Sequence, residues 1–204
     1  MAFRRARVRS CGCAYGKPGG KMARYREITL AEMTPAQRRV HDLIVAGRRG
    51  HFGGPFQLLI RAPEICEQAS ALGEHLRWGT SLPDRLSELA IITTASFWRA
   101  QYEWYAHAPL AEKAGVPSGA VETIRGGGTP SFEQKDEALV YGICTELFKT
   151  QRLSDASFED AVVTLGETGL IEVLGIIGYY TLIGNTLNVF QVQVPEGTTP
   201  PFPE

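Results

Sequence analysis

The sequence predicts an all-α fold, and three observations carry that expectation. Apolar residues recur at three- and four-residue spacing from Thr34 to Phe190. Proline stands near the start of three of these segments, at Thr34-Pro35, Ala62-Pro63 and Leu82-Pro83, where a first helical turn accepts it. No segment alternates as a half-buried strand would. The reading is one helical domain over residues 22–204, with seven or eight helices and an extended, Pro-rich tail.

The first helix runs from Pro35 to Gly47, and the stretch RRGHFGGPFQ after it reads as a turn-rich connection. The next begins at Pro63, with Ile65, Ala69, Leu72 and Leu76 spaced for one face. A third pattern starts at Ser81-Leu82-Pro83-Asp84 and continues to Gly115. That is long for one straight helix in a small domain, so a break is expected near residues 97–100, although neither Gly nor Pro marks it. A short helix follows in SGAVETIRG, and Gly126-Gly127-Gly128-Thr129-Pro130 reads as a loop. It lacks the Lys-Ser/Thr and the preceding strand of a phosphate cradle. Leu139, Ile143 and Leu147 stripe the next helix. Ser154 is placed to cap a helix carrying Phe158, Ala161, Val162 and Leu165.

The last segment, LIEVLGIIGYYTLIGNTLNVF, is apolar on all sides and about long enough to span a bilayer. Glu172, Asn185 and Asn188 and the lack of basic flanks favour a buried helix instead, one that also packs against a second subunit.

The net charge of −1 hides an asymmetry. Residues 1–21 hold six basic side chains and no acid, so the rest carries a net of −7. Such an acidic body lacks the cations that displace phosphate counterions, so nucleic acid is not an expected partner. The basic head has no apolar run for a secretory signal and is expected to be a disordered leader, with Met22 as an alternative start. The four cysteines are scattered: Cys11 and Cys13 lie in the head, and Cys66 and Cys144 fall in apolar helical contexts. Nothing requires an oxidising compartment, so a cytoplasmic location is expected.

Glu103 and His107 stand four apart, so a helix places them on one face, one turn from each other. A carboxylate and an imidazole so close form a general acid/base pair. Phe97, Trp98, Tyr102, Trp104 and Tyr105 around them supply a partly dry wall, and His51 is placed to line a pocket mouth. Spacing alone leaves open a surface ion pair at Glu103–His107 and a solvated Glu88.

The span 83–117 resembles the carboxymuconolactone decarboxylase family, part of the alkylhydroperoxidase-D-like superfamily. The resemblance is carried by R-L-x-E-L-A-I-I (Arg85 to Ile92), Y-E-W-x-x-H (Tyr102 to His107) and A-x-x-A-G-V (Ala111 to Val116). A weaker match runs from Ile171 to Gly197. It implies an alkylhydroperoxidase-D-like helix bundle that self-associates as a homotrimer or homohexamer, with no membrane or nucleic-acid partner. The redox branch carries Cys-x-x-Cys-x-x-x-His after an upstream Glu. Anchored on His107, that pattern falls on Ala100 and Glu103, so both thiols are missing, while Glu88 stands where the upstream Glu belongs.

What the resemblance then implies is acid/base chemistry without a cofactor or metal. A lyase of decarboxylase or isomerase type would act on a small carboxylated, lactone-like substrate. His107 would donate the proton, Glu103 would orient and charge it, and Glu88 would be a second carboxylate relay. Arg85 or Arg61 would hold a substrate carboxylate, with Tyr102, Trp104 and His51 around it. Two alternatives stand beside this: a metal enzyme using Glu88, Glu103 and His107, and a non-enzymatic oligomer that binds a small apolar ligand.

Overall fold

The computed structural model describes residues 24–203; the basic head and its two cysteines lie outside the described residues. Among the described residues the chain is all-helical. After a short 3-10 turn at Leu30–Glu32 come α1 (Pro35–Ala46), α2 (Phe56–Leu59), α3 (Pro63–Trp78), α4 (Asp84–Phe97) and α5 (Gln101–Ala114). They are followed by α6 (Ser118–Arg125), α7 (Lys135–Thr150) and α8 (Asp155–Val189).

The ends follow local chemistry. Thr34 and Gln37 exchange side-chain to backbone hydrogen bonds at the start of α1, with Pro35 in the first turn. Ser154 accepts from the Ser157 N–H at the start of α8. Gly166, at φ 71°, ψ 168°, breaks α8 into the two segments that the sequence pattern separates.

The expected break near residues 97–100 falls at Trp98, Arg99 and Ala100, which turn α4 back against α5. Arg99 takes φ 48°, a left-handed conformation that costs a side chain of its kind about 1–2 kcal/mol. The tail holds it there: the Arg99 guanidinium lies 5.5 Å from the Phe202 ring and donates to the Pro203 carbonyl at 2.6 Å. Gln101 pairs twice with the Phe202 backbone, at 2.8 and 2.9 Å, and Phe202 is fully buried against Trp104. α5 itself runs through Pro109, and the Tyr105 carbonyl that loses its helical partner lies on the exposed side of the helix.

α4 is the central helix, buried along most of its length and packed against α5, α7 and α8. Its Thr93 and Thr94 hydroxyls are satisfied by the carbonyls of Leu89 and Ala90. Arg85 ties α4 to α7 through Asp136, at 3.2 and 2.8 Å, and through buried Glu137 at 3.0 Å.

Two apolar stripes differ from expectation. On α3 the core face is Cys66, Ala69, Ser70, Gly73 and Leu76, whereas Ile65 and Leu72 are 55% and 48% exposed. Phe158 at the start of α8 is also exposed. The helical period holds, but the buried arc is rotated toward smaller residues because the Tyr179 side chain of α8 fills the space at Gly73 and Gly175 of α8 lies against Leu76.

By length and composition α8 is able to cross a membrane. Its Glu172 carboxylate accepts from the Ser81 backbone and hydroxyl, and Asn188 donates to the Trp98 carbonyl at 2.6 Å.

Candidate functional site

Three helices converge on His107. Its Nδ1 lies 2.8 Å from Glu88 Oε2 on α4. Its Nε2 lies 3.5 Å from Glu103 Oε2, one turn earlier on α5, and 3.4 Å from the Tyr180 hydroxyl on α8. The ring meets Tyr180 edge-on, with centroids 5.1 Å apart. Glu103 and His107 are buried, at 4% and 5% exposure, and the Glu88 side chain is 12% exposed. The trio expected from sequence is therefore one cluster: Glu88 is within hydrogen-bond reach of Nδ1, and Glu103 stands just beyond that reach from Nε2.

The two carboxylates meet opposite nitrogens of the ring. A carboxylate can only accept, so Glu88 fixes the proton on Nδ1 and leaves the Nε2 lone pair facing Glu103 and Tyr180. Glu88 makes the short hydrogen bond to the ring, and Glu103 the longer ion-pair contact. Burial pushes the Glu103 carboxyl above the usual carboxylate range, against the lowering pull of His107, Arg77 and Arg49; nearby Glu88 raises it further. Burial also lifts the Tyr180 phenol well above its ordinary value, so its hydroxyl stays a donor.

His107 stands between two spaces. On the Nε2 side is a cavity of about 110 Å³ lined by Glu103, His107, Tyr102, Tyr180, Arg49 and Arg77, with His51, Gly53 and Gly54 at its loop side. On the other side Glu88 borders a groove of about 320 Å³ with Asp84, Ser87 and Lys113, which Arg77 also reaches. A larger groove of about 510 Å³ between α1 and α3 contains none of the residues expected at the site.

Of the other expected site residues, His51 and Tyr102 line the cavity. Trp104 does not: it packs edge-on against Phe202, 5.3 Å away, as a core residue. Arg85 is committed to Asp136 and Glu137, and Arg61 donates to the carbonyls of Gln57 and Arg26; neither lines the cavity.

The arginines that do face the cavity are Arg49 and Arg77, which sequence reasoning missed, as it missed Tyr180. The signal for Arg49 is its place in RRGH, beside the Gly53-Gly54-Pro55 turn; Arg77 ends α3 next to Trp78.

The three ligating groups do not form a chelate. Glu88 and Glu103 sit on opposite ring nitrogens of His107, so one ion cannot take all three. Among the described residues no group of three or more His, Cys, Asp or Glu is placed to hold a metal ion. The thiols of Cys66 and Cys144 are buried, and burial pushes both up to about 12, far from the thiolate a peroxidase needs.

No family model matches the chain, and no curated protein matches it.

Proposed function

We propose that this protein is an acid/base enzyme that needs no cofactor and acts on a small carboxylated, lactone-like substrate, of decarboxylase or isomerase type. The observation that carries the reading is the single imidazole held at Nδ1 by Glu88, with Nε2 open to a cavity it shares with Glu103 and Tyr180. The sequence resemblance to the carboxymuconolactone decarboxylase family points the same way.

In the decarboxylating form, the carbon–carbon bond to a carboxylate breaks and carbon dioxide leaves. The electron pair spreads into the conjugated carbonyl of the substrate, which is its own electron sink. A proton from protonated Nε2, or from the Glu103 carboxyl, then closes the bond at that carbon. The Tyr180 hydroxyl is the donor for negative charge developing on the enolate oxygen. Isomerisation uses the same groups, with Nε2 removing a proton at one carbon and the pair returning it at another.

The groups around the cavity fit this chemistry. A buried carboxyl whose pKa is raised holds its proton more readily than an exposed one, and the orienting carboxylate stabilises the imidazolium that forms. A thiol mechanism fits poorly, because neither described cysteine lines the cavity.

Self-association belongs to the same proposal. On α8, Ile171, Leu182 and Val189 are exposed, and Leu182 joins Ile65 and Leu72 of α3 in an apolar groove. A second copy on this face would cover what the single chain leaves open, which favours α8 as a core and subunit-contact helix in a cytoplasmic oligomer.

The test is turnover on a panel of unsaturated lactone acids by wild type, His107→Ala and Glu103→Gln. Loss in both variants with intact melting supports the reading, and full activity in both removes it.

A further inference from the structure

We infer that Arg49 and Arg77 form a clamp for a spectator carboxylate of the substrate, one that stays on the molecule while the reacting end faces Glu103 and His107 Nε2. Only the choice of reacting end rests on the acid/base reading; the clamp stands on its own observations.

The first is that these guanidiniums are unspent. Neither makes a hydrogen bond or ion pair among the described residues, and Arg49 Nε, Arg49 Nη2 and Arg77 Nε are buried without a partner. Elsewhere the chain uses arginine differently: Arg39 pairs with Glu67, Arg85 with Asp136 and Arg125 with Glu122. Buried polar groups of a folded protein are almost always satisfied, so donors left open beside a cavity point to a missing anion.

The second is that both forks are held in place without using their donors. The Arg49 guanidinium lies 4.5 Å from the Phe56 ring centroid and 5.7 Å from that of Trp78, and Arg77 lies 4.6 Å from the same Trp78 ring. Stacking on an aromatic face fixes the plane of a guanidinium and leaves its N–H edge free, which matches a carboxylate bidentately.

The third is charge. Both arginines line the cavity, and the carboxyl that shares it, Glu103, is driven by burial toward its neutral form. Two guanidiniums face one carboxyl whose charged form burial disfavours, so the cavity favours an added anion. Its volume of about 110 Å³ favours a small acid over a bulky one.

The clamped carboxylate cannot be the one lost. Two guanidiniums stabilise a full carboxylate charge, and that charge disappears as carbon dioxide forms. Holding the leaving group this way would stabilise the ground state over the transition state. A decarboxylated substrate therefore carries two carboxylates, one held by Arg49 and Arg77 and one directed to the Glu103 side. An isomerised substrate needs only the first.

Calorimetric titration of the full chain with succinate, its uncharged isostere succinamide and inorganic phosphate tests the clamp. Succinate is expected to bind saturably, succinamide not at all, and phosphate more weakly than succinate. Arg49→Gln and Arg77→Gln should each weaken succinate by about tenfold or more, the scale of one lost charge-assisted hydrogen bond. Arg49→Lys and Arg77→Lys keep the stem and charge, guard against misfolding, and should recover part of that loss. The clamp is overturned if succinate fails to bind, if succinamide binds equally, if phosphate binds more tightly, or if the Lys and Gln variants all retain wild-type affinity. Glu103→Gln should still bind succinate. Succinate binding in a protein whose His107→Ala variant keeps full turnover would sink the acid/base reading and leave the clamp standing.

Discussion

His107 donates from Nδ1 to Glu88 at 2.8 Å, across the packing of α5 on α4, and this bond decides which ring nitrogen is left for the cavity. It leaves Nε2 on the cavity side, within 3.5 Å of Glu103. A carboxylate on the far nitrogen holds the ring's orientation and would steady an imidazolium, which under the proposed function makes Glu88 a positioning residue.

Glu88→Gln tests that relationship. The amide keeps the shape but cannot serve as an anionic acceptor, so turnover should fall by about 10²-fold or more, within the range for positioned acid/base groups. Proton NMR supplies a readout independent of substrate: the downfield Nδ1–H resonance of His107 should be present in wild type and lost in Glu88→Gln. A purely structural glutamate would leave the pH dependence of turnover unmoved, whereas an orienting one should shift it.

Glu103 should make the fold less stable as pH rises. Its folded pKa is raised by burial, so between the ordinary carboxylate value and the raised one the native state binds more protons than the unfolded chain. Its contribution is fully favourable below that window and is lost as pH climbs through it. Glu103→Gln should therefore melt higher than wild type above the window, by about 2–4 °C for each kcal/mol regained, with the gap closing at acid pH. Thermal melts across pH read this directly, and a variant that melts lower at every pH would contradict the burial argument.

Gly73→Ala should disturb the cavity wall from α3. A Cβ at Gly73 falls within the Tyr179 phenol, and Tyr179 lines the cavity beside Tyr180. Overpacking of this kind costs typically about 1–3 kcal/mol, so a lower Tm with reduced turnover is expected. Unchanged melting and activity would mean that α3 and α8 approach less closely than the structure has them.

The tail is a structural strap for the α4–α5 turn. Phe202→Ala removes a fully buried ring from Trp104 and Arg99 and should cost about 3–5 kcal/mol, measured by chemical denaturation.

Cys66 and Cys144 should be silent toward a thiol reagent in the native state and react on unfolding, because burial holds both thiols at about 12. Peptide mapping by mass spectrometry after brief labelling separates them from the cysteines of the head.

The helices were legible because periodicity and Pro-led starts are local signals, and Glu103 with His107 was legible because four-residue spacing is geometric. Glu88 became a site residue only through the resemblance, since nothing local says that α4 folds back onto α5. Arg99 carries that reversal in a left-handed conformation stabilised by a tail residue a hundred positions away, which no local pattern reveals. The arginines that face the cavity were not legible for a similar reason. Arg85 lies in the motif but is consumed by Asp136 and Glu137 of α7, whereas Arg49 and Arg77 come from a loop and a helix end that only tertiary packing brings to the cavity. The faces of α3 were misread because Ile65 and Leu72 are larger than the residues α8 admits at close approach.

The most direct test of the central claim is turnover in D₂O of an unsaturated lactone dicarboxylate, comparing wild type, His107→Ala and Glu103→Gln. The expected result is one deuteron delivered to the carbon that lost carbon dioxide, or moved its double bond, in wild type, with rates at least about 10²-fold lower in both variants and their melting cooperative. Wild-type rates and deuterium content in both variants would contradict the account.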